Sequence, residues 1–363
     1  MTYSKYSDTT NSKVTYLLGA GASFNAVPIW GNQGRSMIEV GEELVKIIKL
    51  KFNKINSPGN NPEMYYLNSL ANKIKKFGQK AIDFGSIDIY AKRLFLLNNE
   101  KELNDLKKCV SIYFDLWESG FMDCSKVEEK GKKKYESIDK RYFSLLSVLL
   151  EPGATSPCIH SNVSFITWNY DLQFEKAYET FLPEKEKSLS DLITKINGED
   201  SGKKILHLNG YRGVFINQEE EFEIVDKSKF SSVEAYLKEL IGNRDKLDAE
   251  ENSFQVSIKY AWEMKSDSLE RAKQIMKETN ILVIIGYSFP AFNRVIDQAL
   301  IKEFESGADY KRVIYQDPNA NFDIVKSLFR NTGKAVELEK ENTNQFYIPH
   351  EFLSPSKGEF FVI

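Results

Sequence analysis

Two kinds of hydrophobic pattern alternate along the chain. Short stretches rich in apolar and β-branched residues occur at Val14 to Leu18, Val163 to Thr167, Lys204 to Leu208, Ile281 to Ile285 and Arg312 to Tyr315. Runs of this length, closed by polar, glycine or proline residues, read as buried strands. The first stops at Gly19-Ala20-Gly21-Ala22-Ser23, as a parallel strand does when it delivers the chain to a tight turn. Between the runs, apolar residues return at every third or fourth position, the mark of helices with one buried face. Strand, loop and helix in repetition predict an α/β fold with a mostly parallel sheet, its ligand lying beyond the carboxyl ends of the strands.

The helical sets divide the chain. From about Ser36 to Leu50, the stripe Met37, Val40, Leu44, Ile47 and Ile48 lies opposite Glu42, Glu43 and Lys46, and predicts a helix packed on the sheet. Asn53 to Pro62, rich in Asn, Pro and Gly, breaks the α/β rhythm. Three further periodic sets follow before Leu150: Leu67, Leu70 and Ile74; Leu103, Leu106, Val110 and Tyr113; and Tyr142, Leu145, Leu146 and Leu149. The expected organisation is a core of residues 1–52 and 151–363 around a helical insertion over 53–150. Within the insertion, Lys126 to Lys134 holds five lysines in nine residues and reads as a solvated loop or a phosphate-facing patch. The charged stretch Glu219 to Asn252 reads as a second insertion or a mobile lid.

Composition narrows the function classes. With 363 residues, 42% hydrophobic and 13% aromatic, the chain can bury a large core and is not a disordered protein. Lysine and arginine number 49 against 52 acids, a formal charge of −3, so there is no global basic field to grip nucleic acid. No apolar run approaches the roughly 20 residues that span a bilayer, and the polar start Met1-Thr2-Tyr3-Ser4-Lys5 lacks a secretory stretch, so a cytoplasmic protein is expected. Cys109, Cys124 and Cys158 are too few for a four-cysteine zinc site, and no metal is predicted. Only three histidines are present, and His160 and His350 lie outside every motif, which leaves His207 for any imidazole chemistry.

Four separated motifs carry candidate chemistry. In Gly19-Ala20-Gly21-Ala22-Ser23 the glycines let backbone approach a pyrophosphate, and Ser23 can donate a hydroxyl hydrogen bond. Phe24 stands where a full dinucleotide fingerprint has its last glycine, which weakens a hydride-transfer reading. The others are Thr167-Trp168-Asn169-Tyr170-Asp171, Gly286-Tyr287-Ser288-Phe289 and Asp317-Pro318-Asn319. In this order the motifs resemble those of the sirtuin superfamily, especially the sirtuin-like NAD-cleaving domains of bacterial anti-phage systems.

The resemblance implies a Rossmann-like fold and NAD as substrate. Asn169 would lie at the nicotinamide ribose, Gly286 and Ser288 at ribose and phosphate, and Asp317 and Asn319 at the adenosine. Gly19, Ala20, Gly21 and Ser23 would line the pyrophosphate, and Asp171 would stabilise developing charge or cap the next helix. Asp88, in Ser86-Ile87-Asp88, is a further candidate for closing over the ribose. Protein deacylation is disfavoured, because the cysteines cannot build that group's zinc module and Ile29-Trp30-Gly31 replaces its acidic, aromatic, arginine sequence. The family places a histidine directly before a glycine, whereas this chain reads Leu206-His207-Leu208-Asn209-Gly210 and aligns Asn209 there. An extended segment would bring His207 and Asn209 to one side, so His207 could serve as the base, or only hydrogen-bond the adjoining loop. The expectation is an NAD glycohydrolase that depletes NAD during infection and is restrained by a protein partner or self-assembly. The alternative is a binding module that senses NAD or ADP-ribose without cleaving it.

Overall fold

In a computed structural model, residues 12–52, 61–120, 135–153, 155–197, 204–216, 221–223, 231–248, 255–263, 266–307, 311–319, 321–329, 336–340 and 342–350 are described. The lysine-rich run, Cys124 and most of the Asn53 to Pro62 break lie outside them. The first apolar run forms β1 (Val14–Leu18), buried at all five residues, and a single 3-10 turn (Ala20–Ser23) follows. Five helices come next: α1 (Trp30–Phe52), α2 (Pro62–Phe84), α3 (Ile87–Leu96), α4 (Glu100–Ser119) and α5 (Arg141–Leu149). Asn61 caps α2 by accepting from Glu63 and Met64 N–H groups, with Pro62 at the first helical position, where its missing donor costs nothing.

A short hairpin, β2 (Leu150–Glu151) and β3 (Cys158–Ile159), leads to β4 (Val163–Thr167), α6 (Gln173–Glu179), α7 (Leu189–Asn197) and β5 (Ile205–His207). Then come β6 (Val214–Ile216), β7 (Glu221–Glu223), α8 (Val233–Gly242), α9 (Arg244–Asp248) and β8 (Gln255–Val256). The chain closes with α10 (Ser266–Glu278), β9 (Ile281–Ile285), α11 (Arg294–Ser306), β10 (Arg312–Gln316), α12 (Phe322–Leu328) and β11 (Val336–Glu339).

The main sheet has the order β11-β10-β9-β1-β4-β5, and every neighbouring pair is parallel. Counted by its own six strands and read from β5, that order is 3-2-1-4-5-6, the doubly wound Rossmann arrangement. Its direction reverses between β1 and β9, which makes the carboxyl ends of these two strands the switch point where such sheets bind ligands. Register aligns Leu18 with Thr167 and Ile285, Thr167 with His207, and Ile285 with Gln316.

Side chains alternate across this sheet. One face, with Tyr16, Leu18, Phe165 and Val283, packs against α5, α6 and α7. The other, with Leu17, Ile166, Leu282 and Ile284, packs against α10, α11 and α12. The helix after the glycine turn departs from expectation: Met37, Val40, Leu44 and Ile48 of α1 pack with α2, α3 and α4 in a separate helical core, not on the sheet. Gly34 and Gly78 explain the fit, since a Cβ on either would come within 2.7 Å of the other's carbonyl oxygen, so α1 and α2 touch backbone to backbone. The charged stretch after residue 219 contributes α8, whose Val233, Tyr236, Leu237 and Leu240 join the same helical core.

Candidate functional site

The loops after β1, β4, β5, β9 and β10 gather at one edge of the sheet, and with the last residues of β4 and β5 they carry the four motifs and His207. At the switch point the loops after β1 and β9 dock directly. The Gly19 N–H donates to the Ile285 carbonyl and the Gly21 N–H to the Gly286 carbonyl, both at 2.9 Å. A Cβ on Gly21 would lie 2.7 Å from Gly286 Cα, and one on Gly19 2.6 Å from the Gly286 carbonyl oxygen. Gly286 itself has φ of +59°, a left-handed conformation that only glycine adopts cheaply. The immediate demand for these glycines is thus contact between the two loops. Arg141 supports the turn from beneath: its Nη2 donates to the Gly21 and Ala22 carbonyls at 3.0 and 3.2 Å, while Asp139 holds the guanidinium.

Ser23, Asn169 and Asp171 form one buried cluster. The Ser23 hydroxyl donates to Asp171 Oδ1 at 2.8 Å, and Asn169 Nδ2 reaches Ser23 Oγ at 3.4 Å, a long hydrogen bond. Asn169 is oriented from its own backbone, whose N–H donates to Thr167 Oγ1 at 3.0 Å. Asp171 Oδ1 also accepts the Gln173 N–H at 3.2 Å, so it satisfies one of the open donors of α6 as well as Ser23. Burial, with Glu118 adding repulsion, pushes the Asp171 carboxyl up to about 7.

His207 ends β5 and turns toward α6. Its Nε2 lies 2.7 Å from Glu175 Oε1, with only 6% and 1% of the two side chains exposed. Burial alone would lower this imidazole; the charge and hydrogen bond of Glu175 outweigh it and raise the ring above its ordinary value. Extended backbone stops at His207, because Leu208 and Asn209 form a turn and Gly210 has φ of +65°. Asn209 therefore goes to a different partner, donating from Nδ2 to the Trp168 carbonyl at 3.0 Å.

On the far side of the switch point, Gly286-Tyr287-Ser288-Phe289 buries both aromatic rings and leaves Ser288 exposed. Phe289 has φ of +52°, a strained value for a bulky residue, and its ring meets Tyr287 and Tyr315 at 4.8 and 5.9 Å. Asp317 accepts the Asn319 N–H at 2.7 Å, a local turn that leaves Asn319 exposed. The residues predicted from the sequence thus fall into two sets: Ser23, Asn169, Asp171 and His207 beside β1, β4 and β5, and Gly286, Ser288, Asp317 and Asn319 beside β9 and β10.

The helical layer touches the first set. Tyr170 donates to Asp88 Oδ1 at 2.8 Å, and burial pushes that carboxyl up to about 6, so Asp88 is tied to the Asn169 loop. Arg212, after β5, bridges Asp115 and Glu118 of α4, and Glu118 accepts the Leu172 N–H at 3.1 Å. Sequence reading missed Glu175, Arg141 and Glu118; only Glu175 leaves a trace, as an acid in the first turn of the helix after Asp171.

A cavity of about 630 Å³ opens at the opposite, amino edge, lined by Lys13, Thr15, Asn162, Lys204 and Thr279. Open parallel sheets bind ligands at the carboxyl edge, so size does not mark the site here. A smaller cavity of about 180 Å³ lies between α4, α6 and Arg212, with Glu175 in its wall.

No known family profile matches the chain, and no curated protein does. Solved structures similar to it include Sir2Tm bound to a propionylated peptide, at 12% identity over 93% of this chain and 92% of that one, with a TM-score of 0.37. A Sir2 homolog–NAD complex aligns at 13% identity over 92% and 85%, with a TM-score of 0.39. A structure described as the structural basis of sirtuin substrate affinity aligns at 10% identity over 95% and 96%, with a TM-score of 0.37. The fold assignment rests on the strand order of the chain itself.

Proposed function

We propose that this chain is a sirtuin-like NAD glycohydrolase that releases nicotinamide and ADP-ribose. The observation that carries the reading is the meeting of Ser23, Asn169, Asp171 and His207 beside the switch point of a 3-2-1-4-5-6 sheet. Cleaving the nicotinamide bond builds positive charge on the ribose, and the leaving ring keeps the bonding electrons. The protein must therefore fix the dinucleotide, place a water and take that water's proton. Asn169 can orient a water or a ribose hydroxyl, because its amide both donates and accepts. Asp171 offers partial negative charge through Ser23, and His207 is the nearby imidazole. Gly286, Ser288, Asp317 and Asn319 would hold the adenosine half across the switch point, with Gly19, Ala20 and Gly21 between the halves.

Asn169→Ala should abolish nicotinamide release, followed by chromatography, while leaving the unfolding transition in place. Undiminished release would sink the assignment. From the motif resemblance we propose a role in anti-phage defence by NAD depletion, and because such an activity must be restrained at rest, control by a protein partner or self-assembly. Specific activity should then rise with concentration or on adding the partner; full activity from an isolated monomer would contradict this. One observation favours the second reading, a sensor that binds NAD or ADP-ribose: His207 is committed to Glu175. Tight binding without nicotinamide release under any of these conditions would establish it.

A further inference from the structure

We infer that Glu175 is a positioning residue for His207, fixing the hydrogen on Nε2 so that Nδ1 is the nitrogen that exchanges a proton at the site. This rests on the NAD-cleaving reading above. The pairing is direct, at 2.7 Å between Nε2 and Oε1, and both side chains are enclosed. A neutral imidazole has one donor and one acceptor nitrogen, and a carboxylate can only accept. With Glu175 accepting from Nε2–H, the acceptor is Nδ1.

A histidine held only for structure would have both nitrogens satisfied, as buried polar groups generally are. Among the described residues Nδ1 is buried with no hydrogen-bond partner of good geometry and Glu175 Oε2 is likewise buried without one, the Asn169 backbone making only a weaker polar contact with the ring. The ring is therefore anchored firmly on Glu175 and held only loosely otherwise. Charged and polar groups face it from three directions: Glu175 from α6, and Asp171 and the Asn169 backbone from the loop after β4. The third is the Tyr211 ring, edge-on at 5.1 Å. All the electrical influences among these favour the protonated ring, which burial opposes. Glu175 stands in the first turn of α6, where the helix dipole favours an anion.

In the proposed step, a water oxygen bonds to the ribose anomeric carbon as that carbon's bond to nicotinamide breaks. The bonding pair passes to the nicotinamide nitrogen and cancels its positive charge. The water's proton moves to Nδ1 and then to solvent. Nε2 keeps its hydrogen throughout, on Glu175.

The test is nitrogen NMR of the His207 ring in the full chain, together with the pH profile of nicotinamide release in wild type and Glu175→Gln. The Gln side chain keeps an acceptor but removes the charge. Wild type should show the Nε2–H tautomer and a ring titration above the ordinary histidine value. In Glu175→Gln that titration should move to lower pH, and the acid limb of kcat should move with it. On the alkaline plateau, where the ring is neutral in both proteins, kcat should fall by up to about tenfold because the ring is the weaker base, with KM for NAD changed less than about twofold. An Nδ1–H tautomer in wild type, or an acid limb that stays in place in the variant, overturns the inference. The ring measurement on wild type needs no variant to fold and no turnover. Absence of nicotinamide release would therefore count against the NAD-cleaving reading, while the tautomer still decides on Glu175.

Discussion

Gly286 shows how a single residue can be demanded twice. Its φ is +59°, and a Cβ there would lie 2.4 Å from Gly21 backbone atoms, which cannot swing aside as a side chain can. Gly286→Ala should lower stability by about 1–3 kcal/mol, seen as a lower urea midpoint at unchanged slope. No shift would mean that the two loops can part freely. At this scale the sequence was legible where chemistry is local. Gly19 to Ser23, Asn169 to Asp171 and Gly286 to Phe289 are short strings whose composition announces a turn after a strand. Partners distant in the chain were not legible. Glu175 meets His207 across 32 residues and Arg141 meets the Gly21 carbonyl across 120, and no periodicity encodes such pairs.

Among the elements, hydrophobic stripes reported which face is buried but not what covers it. The stripes of α2 and α4 lie in the helical core, while Tyr142, Leu145, Leu146 and Leu149 of α5 face the sheet. The α1 stripe, equally regular, faces α2 instead of the sheet. Strand β11 escaped notice because Val336–Glu339 is a half-exposed edge with two glutamates in four residues. What joins the helical layer to the Asn169 loop is polar and buried. Glu118 has 0% side-chain exposure and Asp115 6%, and both depend on Arg212. Arg212→Ala removes the cation paired with both carboxylates, leaving Asp115 the Tyr236 hydroxyl and Glu118 the Gln173 and Leu172 donors, so a loss of about 3 kcal/mol is expected in denaturant unfolding. A change near zero would show that water or another cation already satisfies them.

For the molecule as a whole, the order of the sheet sets which loops meet. Alternating runs were enough to predict a parallel α/β sheet, yet strand order depends on crossovers that leave no local trace. Once it is known, the reversal between β1 and β9 explains why motifs more than a hundred residues apart share one edge. The Trp168 and Tyr287 rings stack at 5.9 Å and 14° across that same edge, linking the loops after β4 and β9 over β1. Restraint of the activity belongs to this scale too, since it would act through association rather than through any one side chain.

The most direct test measures NAD binding and nicotinamide release together, using the purified chain over a range of concentrations, beside Asn169→Ala and His207→Ala. On the NAD-cleaving reading, wild type binds NAD and releases nicotinamide, and both variants keep their fold and lose release. Failure to bind NAD, or release undiminished by Asn169→Ala, would contradict it.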